Sequence, residues 1–165
     1  MESVLTRNTE LIARARFELQ GTGTYPDATF TLRLSYGQVK GFRDEGREVK
    51  PITTFAGAFA RDTGRPPFEL PRSWLRARSK LDLATPLDFC STNDIIGGNS
   101  GSPAVNQAAQ VVGLIFDGNI YSLGGDYGFD PAQNRAVAVH SEAIIQALRI
   151  IYGADRVVKE LRHRP

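Results

Sequence analysis

A chain of 165 residues, 41% apolar and 23% charged, has the size and composition of one globular domain with a real core. Its 20 basic and 18 acidic residues leave a net charge of +2, which singles out no polyanionic partner and argues against nucleic acid. The single cysteine, Cys90, excludes an intrachain disulfide and a cysteine metal centre, and no apolar run reaches membrane-spanning length.

Residues 2–20 are expected to be helical. Val4, Leu5, Leu11, Ile12, Ala15 and Leu19 recur on one side, with Arg7, Glu10, Arg14 and Glu18 elsewhere. Gly21 ends the helix. Its apolar side needs cover, either from this domain or from a partner outside this sequence. The N-terminus is charged from its second residue and has no secretory h-region.

After a turn-rich connector, Phe30, Leu32, Leu34 and Tyr36 alternate with polar residues, the period of a half-buried strand. Gly37-Gln38 is read as a hairpin turn, and Val39 to Phe42 as the returning strand. Arg43 to Lys50 is charged and turn-like around Gly46, and Thr53 to Arg61 is read as a short helix. Pro71 suits a helix first turn, with Trp74, Leu75 and Ala77 as its buried side. The basic segment Arg72 to Lys80 is a solvated helix face. Phe89 to Thr92 and Val111 to Phe116 are expected strands, and Asn106 to Gln110 a turn between strands.

The segment from Gly124 to Asn134 is a loop. Asp126 and Asp130 match no strong calcium spacing, so it is read as turn-forming, and no metal or cofactor is called for. Val137-Ala138-Val139 is a short strand. Ser141 is placed as the cap of a helix carrying Ile144, Ile145, Leu148, Ile151 and Tyr152. Gly153 interrupts that helix. Asp155 restarts it, with Val157, Val158 and Leu161 as its apolar face.

One stretch carries chemistry: Ile96-Gly97-Gly98-Asn99-Ser100-Gly101-Ser102-Pro103. Glycines on both sides of Ser100 allow backbone conformations closed to side chains and clear an approach to its hydroxyl. The N–H groups of Gly98 and Ser100 could converge on a developing oxyanion. A serine nucleophile also needs a base, and an imidazole needs an orienting carboxylate. The two histidines, His140 and His163, both follow the serine and read better as structural and surface residues. The chain therefore holds a candidate nucleophile without an evident base.

Ser91 to Pro103, then Gly113 to Asn119, resembles the C-terminal part of the S46 serine peptidases, the bacterial dipeptidyl-peptidases. The likeness extends upstream through Tyr25 to Gly37 and downstream to Tyr152-Gly153-Ala154-Asp155-Arg156. It implies a mainly β fold with flanking helices: the C-terminal part of a chymotrypsin-like double β-barrel. Residues 1–20 would be the end of the family's helical domain and residues 21–165 the peptidase portion. The catalytic histidine and aspartate would lie in an N-terminal part that this sequence lacks, so the 165-residue chain alone is expected to be inactive.

By the same resemblance, Ser100 matches the nucleophile, and Gly98 with the Ser100 N–H matches the oxyanion hole. Asp117 matches the acid that pairs with the substrate's free α-amino group. Gly118 falls beside the P1 side chain, where the acid-specific branch carries arginine, so a bulky hydrophobic P1 is expected. Replacing Gly118 with arginine should shift cleavage toward acidic P1. The implied partners are peptides with a free N-terminus, the missing N-terminal part and a second copy as a homodimer. The implied address is the periplasm. Two alternatives stay open. A V8-type glutamyl endopeptidase would place a histidine on the strand after the serine, where this chain has Leu114-Ile115-Phe116. The other is an inert fragment or pseudoenzyme.

Overall fold

A computed structural model describes residues 2–21, 32, 34–125 and 128–162. Their contacts fall into two compact units, Met1–Leu34 and Ser35–Pro165. In the first, helix α1 spans Glu2–Gln20, as its periodicity predicts. Gly21 follows at φ +58°, a left-handed conformation that suits glycine and stops the helix. The stripe of Val4, Leu5, Leu11, Ile12 and Leu19 is exposed.

The second unit is built on an antiparallel sheet of five strands. These are β3 (Ile52–Thr54), β4 (Pro86–Ser91), β5 (Pro103–Val105), β6 (Val111–Gly118) and β7 (Ala136–His140). Their order, β3-β4-β7-β6-β5, is linear, with β3 and β5 at the edges. A separate hairpin pairs β1 (Phe42–Asp44) with β2 (Arg47–Val49). Its two-residue turn, Glu45-Gly46, has φ +47° and +81°, the paired positive values that match the twist of the flanking strands.

Helix α2 (Phe55–Arg61) is started by Thr54, whose hydroxyl accepts from the Gly57 N–H. It buries Phe55 and Phe59 against Ala77, Leu81 and Ala143. Phe55 also packs on Trp74 with ring centroids 5.5 Å apart. Helix α3 (Arg72–Ala77) follows Pro71 and buries Ala77, whereas Leu75 is exposed. The sequence grouping of Leu75 with the buried side is thus corrected. Arg72, Arg76, Arg78 and Lys80 are exposed, as expected of a solvated face. A second cluster, Phe89, Ile115, Ala136 and Ala138, is packed by the half-buried Ile95, Ala104 and Val112.

Further expectations are corrected. Phe30, Thr31 and Arg33 lie outside the described residues, but Leu32, Leu34 and Tyr36 are fully or largely exposed and belong to no strand. Gly37-Gln38 is not a hairpin turn. The segment instead runs along the end of β4: Thr92 N–H donates to Gln38 O at 2.9 Å, and Lys40 N–H to Cys90 O at 3.2 Å. A Cβ on Gly37 would lie 2.7 Å from the Asn93 nitrogen, so close backbone approach explains that glycine. Period-two alternation reports an apolar side but not the surface that receives it.

Helix α4 (Ser141–Gln146) is capped by His140, not Ser141: the His140 Nδ1 accepts from the Glu142 N–H at 3.2 Å. A π-helical turn, Ala147–Ile151, continues it to Tyr152, which is exposed. Gly153, at φ +63°, ends this helix before α5 (Asp155–Arg162). Of the expected apolar face of α5 only Val158 is buried; Val157 and Leu161 are exposed. Among the described residues no helix is long and apolar enough to cross a membrane.

Candidate active site

Ser100 sits on the loop between β4 and β5, and its side chain is exposed. Gly98 and Gly101 flank it at φ +97° and +87°, and a Cβ on either would meet nothing within 4 Å. The glycines are therefore required by backbone conformation, not by crowding. Asn99 holds the loop from within: its Oδ1 accepts from the Ile96 N–H at 2.9 Å, and its carbonyl accepts from the Ser102 N–H at 2.9 Å. Strand β6 holds it from outside. The Gly101 N–H donates to Ile115 O at 2.7 Å, and the Ile115 N–H to Ser102 O at 3.0 Å.

The β6–β7 register shifts between Ile115 and Asp117, which pair with Ala138 and Val137. Phe116 is the extra residue of this bulge, a distortion that bends a strand and re-aims the side chains after it. Its carbonyl accepts from the Ser100 hydroxyl at 3.4 Å. Beside this pair lies an open cleft of about 220 Å³, lined by Ile95, Ile96, Ser100, Phe116, Asp117, Gly118 and Leu123 among others. Three of the four sequence-selected residues, Ser100, Asp117 and Gly118, thus line one cleft, and Gly98 sits two residues before Ser100. Among the described residues, the Gly98 and Ser100 N–H groups donate to no acceptor. The Asp117 carboxylate is exposed, and one oxygen accepts from the Gly118 N–H at 2.8 Å.

His140 is not part of the cleft lining; its Nδ1 is used at the start of α4, and its ring meets Phe89 edge-on at 5.9 Å. His163 and Asp126 lie outside the described residues. Two features of the cleft were missed from sequence. One is the 3₁₀ turn Ile120–Gly124, which supplies Ser122 and Leu123 to the wall. The other is Asn119, which anchors that turn. Its N–H donates to Arg135 O at 2.9 Å, its Nδ2 to Gln133 O at 2.7 Å, and its Oδ1 accepts from the Arg135 N–H at 3.0 Å. The asparagine beside Gly118 was the available signal for a side chain that hydrogen-bonds backbone. The Tyr121 hydroxyl donates to Asp44 at 2.7 Å, which ties the turn to the β1–β2 hairpin and raises the phenol pKa.

Ser100 thus presents an exposed hydroxyl on a glycine loop beside a cleft with apolar walls. The peptidase S46 family model matches residues 1–163, and the chain belongs to that family. It is 36% identical over 150 residues to a dipeptidyl-peptidase 7 of Capnocytophaga gingivalis, covering 83% of this chain and 21% of the relative. It is 34% identical over 168 residues to an Asp/Glu-specific dipeptidyl-peptidase of Shewanella putrefaciens, covering 83% of this chain and 23% of that protein. The crystal structure of Porphyromonas endodontalis DPP11 in complex with dipeptide Arg-Asp shares the fold. The TM-score is 0.80 at 24% identity, over 90% of this chain and 23% of the other. The chain spans about a fifth of the length of these relatives.

Proposed function

We propose that this chain is the nucleophile-bearing part of a serine-type dipeptidyl-peptidase. The observation that carries the reading is Ser100: an exposed hydroxyl at the lip of a cleft walled by Phe116, Asp117 and Gly118. The sheet would form part of a chymotrypsin-like barrel completed by a further segment, and α1 would belong to the family's helical domain. That segment would supply the imidazole base and its orienting carboxylate. Among the described residues no histidine lines the cleft, which favours inactivity of the chain alone.

In the complete enzyme, the Ser100 proton leaves the Phe116 carbonyl for the base. The oxygen attacks the substrate carbonyl, and the negative charge gathers where the Gly98 and Ser100 N–H groups can stabilise it. The base then protonates the leaving amine, and water releases the dipeptide from Ser100. Asp117 takes the substrate's α-ammonium on the carboxylate edge left free by the Gly118 N–H, which sets the two-residue length of the product. Ile95, Ile96, Phe116 and Leu123 give the cleft an apolar lining, which supports a hydrophobic P1.

The test is a chimera in which this chain replaces the matching part of the Capnocytophaga relative. Release of a fluorescent amine from dipeptidyl substrates with a free N-terminus, but not from N-acetylated ones, supports the reading. A folded chimera that cleaves neither, or cleaves both equally, overturns it.

A further inference from the structure

Gly118 lines the cleft, and its φ is not positive, so backbone conformation does not require glycine there. Space does. A Cβ on Gly118 would lie 2.8 Å from the Ser122 Cβ and 2.9 Å from its Oγ. Real Cβ atoms do not approach so closely, and a Cβ cannot rotate away as the end of a long side chain can.

Ser122 is also fixed from below. Its Oγ lies 3.0 Å from the Asn119 Oδ1 and 3.3 Å from the Arg135 carbonyl, both acceptors. Its N–H donates to Asn119 O at 2.9 Å. Asn119 is itself bonded at both ends of its amide, so the turn cannot yield at that point without losing several bonds.

We infer that Ser122 is a second specificity-determining residue, which fills the room a side chain at position 118 would need and so keeps a cation out of the cleft. This rests on the peptidase reading of the cleft. A hydroxyl has one proton, and here both neighbours of the Ser122 Oγ are acceptors that claim it. What remains toward the cleft is lone pairs, beside the carboxylate of Asp117. A ligand carboxylate finds repulsion there and no donor, whereas an aromatic or aliphatic side chain is accepted. An arginine at position 118 would need the turn at Ser122 to move first. The residue at 118 therefore does not set the specificity by itself.

The experiment uses this chain with Gly118→Ala, Ser122→Gly and the double variant. Binding of the dipeptides Ala-Phe and Ala-Asp is followed by amide shifts, and all four proteins are melted. The wild-type chain is expected to bind Ala-Phe at least about tenfold more tightly than Ala-Asp. Gly118→Ala should weaken Ala-Phe about tenfold or more, and Ser122→Gly added to it should restore binding to within about threefold. The melting shifts of the pair should be non-additive in the same sense. Gly118→Ala with wild-type binding and additive melts overturns the role of Ser122. If the wild-type chain binds neither dipeptide, non-additive melts still support competition of the two positions for one space and additive melts overturn it, while the peptidase reading is decided separately by the chimera.

Discussion

The guanidinium of Arg135 is fixed on the carbonyl oxygen of Gly41: its Nη2 and Nε lie 2.8 and 3.2 Å away. The same side chain donates to the carbonyls of Lys40, Pro131, Ala132 and Asn134. It is only 2% exposed, and among the described residues no carboxylate pairs with it. A buried cation is tolerated here because every N–H meets a carbonyl dipole. Arg135 thereby pins residues 40–41 to the loop that precedes β7, and its own carbonyl supports the turn beside the cleft.

Arg135→Met should therefore leave the buried Asn134 carbonyl and the half-buried Gly41 carbonyl without their donor, and cost about 3 kcal/mol. For a chain of this size that is a fall of roughly 6–12 °C in melting temperature. Arg135→Lys should recover only part of it, because an ammonium has fewer donors and no planar fork. Equal melting of the lysine variant and the wild type would remove the geometric explanation.

Asp88 lies on β4, half-buried, and its carboxyl pKa is lifted above the ordinary 3.8. Burial is the main cause, and a hydrogen bond from Thr53 opposes it. The fold thus favours the neutral acid. The stability this group contributes is complete below pH 3.8 and is lost as pH rises through the folded value. Asp88→Asn should raise the melting temperature at pH 7, with a gain that shrinks toward pH 3.8. A gain independent of pH would point to something other than ionisation.

Asp117→Asn in the chimera should lower kcat/KM for substrates with a free N-terminus by roughly 10- to 100-fold, the worth of a charge-assisted hydrogen bond. The effect should fall mainly on KM, since the α-ammonium is bound alike in ground and transition states. A loss that falls on kcat with KM unchanged would assign Asp117 a role other than holding the α-ammonium.

Ser100→Ala in the chimera should reduce turnover by at least about a thousandfold. Because the side chain is exposed and makes one 3.4 Å contact, melting should change by less than about 2 °C. Comparable turnover by the alanine variant would leave the glycine loop as a structural hairpin.

Local order was legible where it depends on neighbours in the chain. The periodicity of residues 2–20 and the breaks at Gly21 and Gly153 are short-range effects, and the structure has them where the pattern puts them, whereas the helix read from Thr53 starts at Phe55 with Thr53 in β3, and the turn-like segment 43–50 is a strand hairpin around Glu45-Gly46. The glycine-flanked Ser100 and its neighbouring strand were legible for the same reason. His140 displaced Ser141 as a cap because His140 is the residue held extended, at φ −73° and ψ 138°, where the helix begins, so its Nδ1 meets the Glu142 N–H.

Sequence by itself determined the first helix, the central strands β4, β6 and β7, the Ser100 loop and the family to which this chain belongs, because glycine conformations, apolar periods and motif spacing are written residue by residue. Tertiary structure alone decided that the Phe116 bulge sets Ser100 beside Asp117 and Gly118, that Ser122 stands where a side chain at 118 would go, and that Arg135 is buried among carbonyls. Those outcomes depend on which backbone groups meet across long stretches of chain, and such meetings are fixed by strand register and packing, which no local pattern encodes.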